Sequence, residues 1–157
     1  MADNSISFAT VFRSRATCSH SLFGALCFTG TKKFMSMPSG NTRTIFKIVS
    51  RDQWEAACSQ GSYLGSQDDM RDGFIHFSTA QQLRGTLAKH FQGKNNLVLV
   101  AFSSSSFTRD LKWEPSRGGA LFPHLYAPIP TDQALWTKPL ILGEDGIPEL
   151  PQGIEEC

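Results

Sequence analysis

A chain of 157 residues, 40% apolar and 18% charged, has the size and composition of one soluble globular domain. No apolar run approaches the roughly 20 residues of a membrane-spanning helix, so a membrane role is not expected. The net charge of +1 conceals an asymmetry: residues 1–43 hold one acid and five bases, leaving 13 acids and 10 bases, a net of −3, in residues 44–157. A mildly acidic domain is a poor general binder of nucleic acid, which needs clustered Lys and Arg against phosphate.

The first 43 residues are rich in Ser and Thr, carry scattered Arg and Lys, and show no sustained helical or strand period. That composition predicts an organelle transit peptide or a disordered leader; the abundance of hydroxyls points to a plastid before a mitochondrion. Initiation at Met35 or Met37 would give a cytoplasmic form. Residues 44–157 are expected to be a single globular domain with a polar C-terminal tail.

Within that domain TIFKIVS (44–50) alternates and reads as a strand. SRDQWEAACSQG follows as a helix, with Ser50 as N-cap, Gly61 as stop, and Trp54, Ala57 and Cys58 on one face. Cys58 reads as a small buried or half-buried hydrophobe. The other cysteines, Cys18, Cys27 and Cys157, make no metal-ligand spacing with it, so no metal is expected. Residues 62–73 read as a polar loop. Its QDDMRDG fails as a calcium loop, because the twelfth position counted from Asp68 is Thr79 rather than a glutamate. The acids read instead as solvated, helix-capping groups.

GFIHFST predicts a short strand over 74–78. Alternation puts Ile75 and Phe77 on one face, and Phe74, His76 and Ser78 on the other. Ser78 or Thr79 then caps a helix through AQQLRGTLAKHF. NNLVLVAF (95–102) is nearly all apolar and predicts a central strand. LKWEPS starts as a strand and is stopped by Pro115. ALFPHLYAPI is extended, and ALWTKPLIL (134–142) is a last strand. Helices early and strands late predict an α+β fold with a mixed or antiparallel sheet. Neither GxGxxG nor GxxxxGK[ST] is present, which removes the Rossmann and P-loop readings.

The most concentrated chemistry lies in LKWEPSRGGALFPHLYAPIP (111–130). Gly118 and Gly119 permit positive φ and close backbone approach; with Arg117 they could form an anion-binding turn. Glu114 is available as a base or charge stabiliser. His124 and Tyr126 share a strand face with each other. Together with His76 and Ser78 these residues predict one concave site.

The segments TIFKI, DGFIHFST and WEPSRGG-LFPHLY, with the spaced Trp54, Ala57, Tyr63, Gly65 and Ser66, resemble the DUF952 family over about residues 44–145. That family is grouped with the ADP-ribosyltransferase-like superfamily. The resemblance implies two small β-sheets forming a cleft with a few flanking helices, and NAD bound there as a substrate. It implies Glu114 as the carboxylate that stabilises an oxocarbenium-like ribose centre, with His76 on ribose or diphosphate. Ser78 and Thr79 would shape the cleft, Arg117, Gly118 and Gly119 would hold diphosphate, and His124 and Tyr126 would stack on a flat ring. The expected function is an enzyme acting on NAD, or on an ADP-ribosylated or phosphorylated small molecule or RNA end. The alternative is a non-catalytic module that binds a nucleotide or phosphorylated metabolite.

Overall fold

The computed structural model of the protein describes residues 42–116 and 118–154. The expectations for the leader up to residue 41, and for Arg117, lie outside the described residues. All described residues belong to one compact unit, Ser36–Cys157.

Strand β1 (Thr44–Ser50) runs directly into helix α1 (Arg51–Gln60), because Ser50 accepts the Gln53 amide through Oγ and caps the helix. Gly61 ends α1 in the left-handed region at φ 78°. Trp54 and Ala57 are buried, but Cys58 is exposed, which corrects its expected burial. A helix this short buries a narrow stripe, and Cys58 lies one step round from it.

The expected loop 62–73 is also corrected. It holds a two-residue strand β2 (Ser62–Tyr63) and a short helix α2 (Gln67–Asp72). A capping box starts α2: Ser66 Oγ accepts the Asp69 amide, and the Asp69 carboxylate accepts the Ser66 amide at 2.8 Å. The usual box carries Glu or Gln at that position, and Asp hides the signal.

Strand β3 (Ile75–His76) and helix α3 (Ala80–His90) follow, then β4 (Leu97–Ser103) and a 3-10 turn at Ser104–Phe107. The chain ends in β5 (Leu111–Pro115), β6 (Leu121–Leu125), β7 (Ile129–Pro130), β8 (Trp136–Leu142) and β9 (Pro148–Glu149). The result is α+β with few helices. The sheets are β1-β4-β8-β9, β3-β6-β5 and β2-β7, and every pairing among the described residues is antiparallel. A backbone exchange between Phe46 and Ser78, at 2.8 and 2.9 Å, ties β1 to the chain just after β3.

Strands β1 and β4 are covered on both faces, which is why β4 is an unbroken apolar run. Ile45, Val49, Val98, Val100 and Phe102 pack with Trp54, Phe77, Phe107, Ile75 and Leu125. Phe46, Ile48, Leu97, Leu99 and Ala101 pack on the other side with Leu83 and Leu87 of α3 and Leu140 of β8. Strand parity puts Lys47 with Ile45 and Val49, so its ammonium is carried inside, towards β2 and α2.

Candidate functional site

The three-stranded sheet has one apolar face and one chemical face. Ile75, Leu125, Leu111 and Trp113 turn to the core. The other face is set by register: His76 pairs with His124, and His124 with Lys112. Two-residue alternation adds Glu114 along β5, and Phe74 and Tyr126 just beyond the ends of β3 and β6.

These side chains touch. His124 donates from Nδ1 to Glu114 Oε2 at 2.8 Å, and the Tyr126 hydroxyl donates to both Glu114 oxygens at 3.0 and 3.2 Å. The His124 bond, helped by Tyr126, holds the Glu114 carboxyl below its ordinary pKa despite some loss of water. Removal from water, then the bond to Glu114, pushes the Tyr126 phenol up. Lys112 Nζ lies 4.0 Å from the centre of the Tyr126 ring, a close cation–π contact. Phe74 stacks on His124 with centroids 4.3 Å apart, and lies 4.7 Å from His76 and 5.4 Å from Tyr126. The His76 and His124 rings meet edge-on at 5.3 Å. The Glu114 side chain remains 36% exposed and that of His76 40%, so a ligand on this face can reach both.

Behind His76 is a buried polar centre. Asp69 Oδ1 accepts from the His76 amide at 3.0 Å and from His76 Nδ1 at 2.8 Å. Asp69 Oδ2 accepts from Lys47 Nζ at 2.6 Å, the Ser66 amide at 2.8 Å and Ser66 Oγ at 2.9 Å. Burial alone would raise the Asp69 pKa. The His76 bond and the Lys47 charge outweigh it and hold Asp69 well below the carboxylate range. Burial pushes Lys47 down against the pull of Asp69. Burial and the Asp69 charge push Tyr63 up.

Of the residues singled out from the sequence, His76, Glu114, His124 and Tyr126 converge on this face. Ser78 is buried with its hydroxyl 3.1 Å from Thr86 Oγ1 on α3. The Thr79 amide donates to Gln82 Oε1 at the start of α3. Gly118 and Gly119, at φ 104° and 83°, form the turn between β5 and β6, where the Gly119 amide donates to the Ser116 carbonyl. Sequence reasoning missed Asp69, Phe74, Lys112 and Lys47 as parts of one centre. The Ser66-x-x-Asp69 spacing was the available signal for Asp69; a lysine flanked by apolar residues within a strand was the signal for Lys47.

An open hollow of about 240 Å³ adjoins the face, with Phe74, Tyr126, Leu64 and Met70 on its walls. A larger groove of about 1120 Å³ runs between α3 and residues 144–153, but none of the converging residues lines it. Of the four converging residues only Tyr126 lines the smaller hollow; His76, Glu114 and His124 lie on the open sheet face. Among the described residues no three His, Cys, Asp or Glu side chains are grouped to hold a metal ion, and no helix is long and apolar enough to cross a membrane.

The chain resembles protein CC0527 of Caulobacter crescentus, whose crystal structure is 48% identical, superposes with a TM-score of 0.66, and covers 68% of this chain and 93% of its own. The solution NMR structure of CC0527 superposes with a TM-score of 0.63 at the same identity and covers 91% of that chain. Among curated proteins none matches. The sequence profile described as "Protein of unknown function (DUF952)" matches residues 48–137, and the chain belongs to that family.

Proposed function

We propose that the chemical face of the β3-β6-β5 sheet is the ligand site of an ADP-ribosyltransferase-like domain. Its ligand is NAD, or an ADP-ribosylated or phosphorylated small molecule or RNA end. The observation that carries this reading is Glu114. Its carboxylate is oriented by His124 and Tyr126, kept ionised by them, and still open to solvent beside His76 and two aromatic rings. A fixed anion of that kind stabilises positive charge developing on a ribose ring when its bond to nitrogen breaks and the base leaves with the electron pair. Phe74 and Tyr126 supply faces on which a flat base can stack. His76 supplies a hydrogen-bonding group for a ribose hydroxyl or phosphate.

The test is calorimetric binding of NAD, ADP-ribose, NADP and 2′-phosphorylated nucleotides, with nicotinamide release followed in parallel. Glu114→Gln keeps the side chain's size and hydrogen bonding but removes the charge. The expected result is near wild-type affinity with turnover lost, because the charge matters only as the cation develops. Wild-type protein that binds none of these ligands overturns the proposal.

A second reading is a non-catalytic binding module for the same ligand class. It is favoured by the fact that both Glu114 oxygens are already engaged by donors of the protein itself. Binding without nicotinamide release in the wild type would select it.

A further inference from the structure

We propose that Asp69 is a positioning residue for His76: it holds the imidazole with its proton on Nδ1, so that Nε2 is the nitrogen offered to a ligand on the chemical face.

The argument starts from the acceptor capacity of a carboxylate. An ionised carboxylate only accepts hydrogen bonds. Asp69 is 3% exposed and paired with the buried Lys47 at 2.6 Å, an arrangement that compensates its charge where water cannot. Its Oδ1 lies 2.8 Å from His76 Nδ1, so Nδ1 must be the donor. In the neutral ring the remaining nitrogen, Nε2, then carries the lone pair. The same Oδ1 also accepts the His76 backbone amide, so one oxygen fixes both the strand and the ring that grows from it.

The supports of Asp69 come from separate elements. Lys47 arrives from β1, and Ser66 gives its amide and hydroxyl at the start of α2. Gly65, at φ 111°, lies so close that a Cβ there would sit 2.9 Å from Asp69 Cβ. Asp72 Oδ2 stands 3.4 Å from His76 Nε2, beyond a good hydrogen bond, and its other oxygen accepts from Arg71. Asp72 therefore leaves Nε2 available while giving an ion-pair partner to a protonated ring. Capping α2 would require only the Ser66 contacts. The two bonds to His76 and the buried lysine go beyond a cap.

The inference rests on reading this face as a ligand site, but its test uses no ligand. Long-range 1H–15N correlation of the full-length protein, recorded with the His76 ring neutral, reports which ring nitrogen is protonated. The expected wild-type result is Nδ1 protonated and Nε2 unprotonated, the reverse of the tautomer that dominates free histidine in water. Asp69→Asn should switch it. Its amide oxygen is held by the Lys47 ammonium and the Ser66 amide, so the amide nitrogen faces His76: the bond from the His76 backbone amide is lost, and Nδ1 becomes the acceptor, with the ring proton on Nε2. Asp72→Asn should leave the tautomer unchanged. A wild-type ring protonated on Nε2 overturns the inference even if a nucleotide binds, and so does a folded Asp69→Asn protein that keeps Nδ1 protonated. If Asp69→Asn does not fold, the wild-type spectrum alone decides. Failure of every nucleotide to bind would strike the function proposed above and leave the tautomer result standing.

Discussion

At the residue scale, the molecule spends its rarest environment, a buried ion pair, directly behind the candidate site. Breaking such a pair by removing one partner typically costs about 3–5 kcal/mol, because the other charge is left uncompensated. Perturbed, buried titratable groups beside an open face are more common at functional sites than elsewhere. The pair also predicts an acid response. The Asp69 pKa is lower in the folded protein than in the unfolded chain. Between the two values the unfolded chain holds the extra proton, so stability rises with pH there. The contribution of Asp69 is therefore complete above about pH 4, near the ordinary carboxylate value, and is lost as pH falls below it. Glu114 shifts the same way, on an exposed site where solvent screens the effect. Urea unfolding followed from neutral pH downwards should show wild-type stability dropping below pH 4, by up to about 1.4 kcal/mol per pH unit from Asp69. Asp69→Asn should begin less stable and fall with a shallower slope. Parallel slopes would show that Asp69 does not titrate as described.

At the element scale, the hairpin β5–β6 and the α2–β3 turn do the positioning. Register across β3, β6 and β5 puts His76, His124 and Lys112 in one row, and a one-residue slip of any one strand would send its member of the row to the core side. The α2 turn is set by Gly65. Its φ of 111° disfavours any residue with a side chain, and the space beside it is already taken by Asp69. Gly65→Ala combines both penalties. The expected loss is about 1–3 kcal/mol in chemical denaturation, with the His76 ring resonances shifted because Asp69 must move. Gly61→Ala, at φ 78° with open space around the added methyl, should lose stability without disturbing His76. Equal His76 shifts in both variants would remove the assigned role of Gly65.

At the scale of the whole molecule, β1 and β4 form the wall between two apolar clusters, and the chemical face is held in place from behind by one of them. Phe102 is fully buried there, edge-on to Trp54 at 6.1 Å and to Phe77 at 5.6 Å. Phe102→Ala should destabilise the protein by about 3–5 kcal/mol, read from the urea midpoint at constant slope. Because Phe77 is adjacent in sequence to Ser78 and one residue from His76, the same variant should also loosen the site. Faster backbone amide exchange at His76 than at residues of α3 would report this. Uniform acceleration across the domain would show that the two regions open together instead.

The sequence by itself determined the elements whose signals are local. TIFKIVS is rich in β-branched and aromatic residues, Ser50 and Gly61 bracket α1, and Pro115 closes β5, so these boundaries follow from propensity, capping and missing donors within a few residues. The double-sided burial of β4 was legible in its unbroken apolar run. Glu114, His124 and Tyr126 could be grouped because ten or twelve positions of one hairpin separate them. What the tertiary structure alone decided is pairing at a distance. Lys47 and Asp69 lie 22 positions apart, and nothing local says that a strand lysine and a loop aspartate will be buried together. Ser78 read as a neighbour of His76 on an exposed face. The Phe46–Ser78 bridge and α3 instead carry its hydroxyl to Thr86, because packing against a helix overrides strand alternation where a two-residue strand ends. Periodicity tells which side of an element is dry; which other element supplies the dryness, and the counter-charge it requires, is settled only when the chain closes on itself.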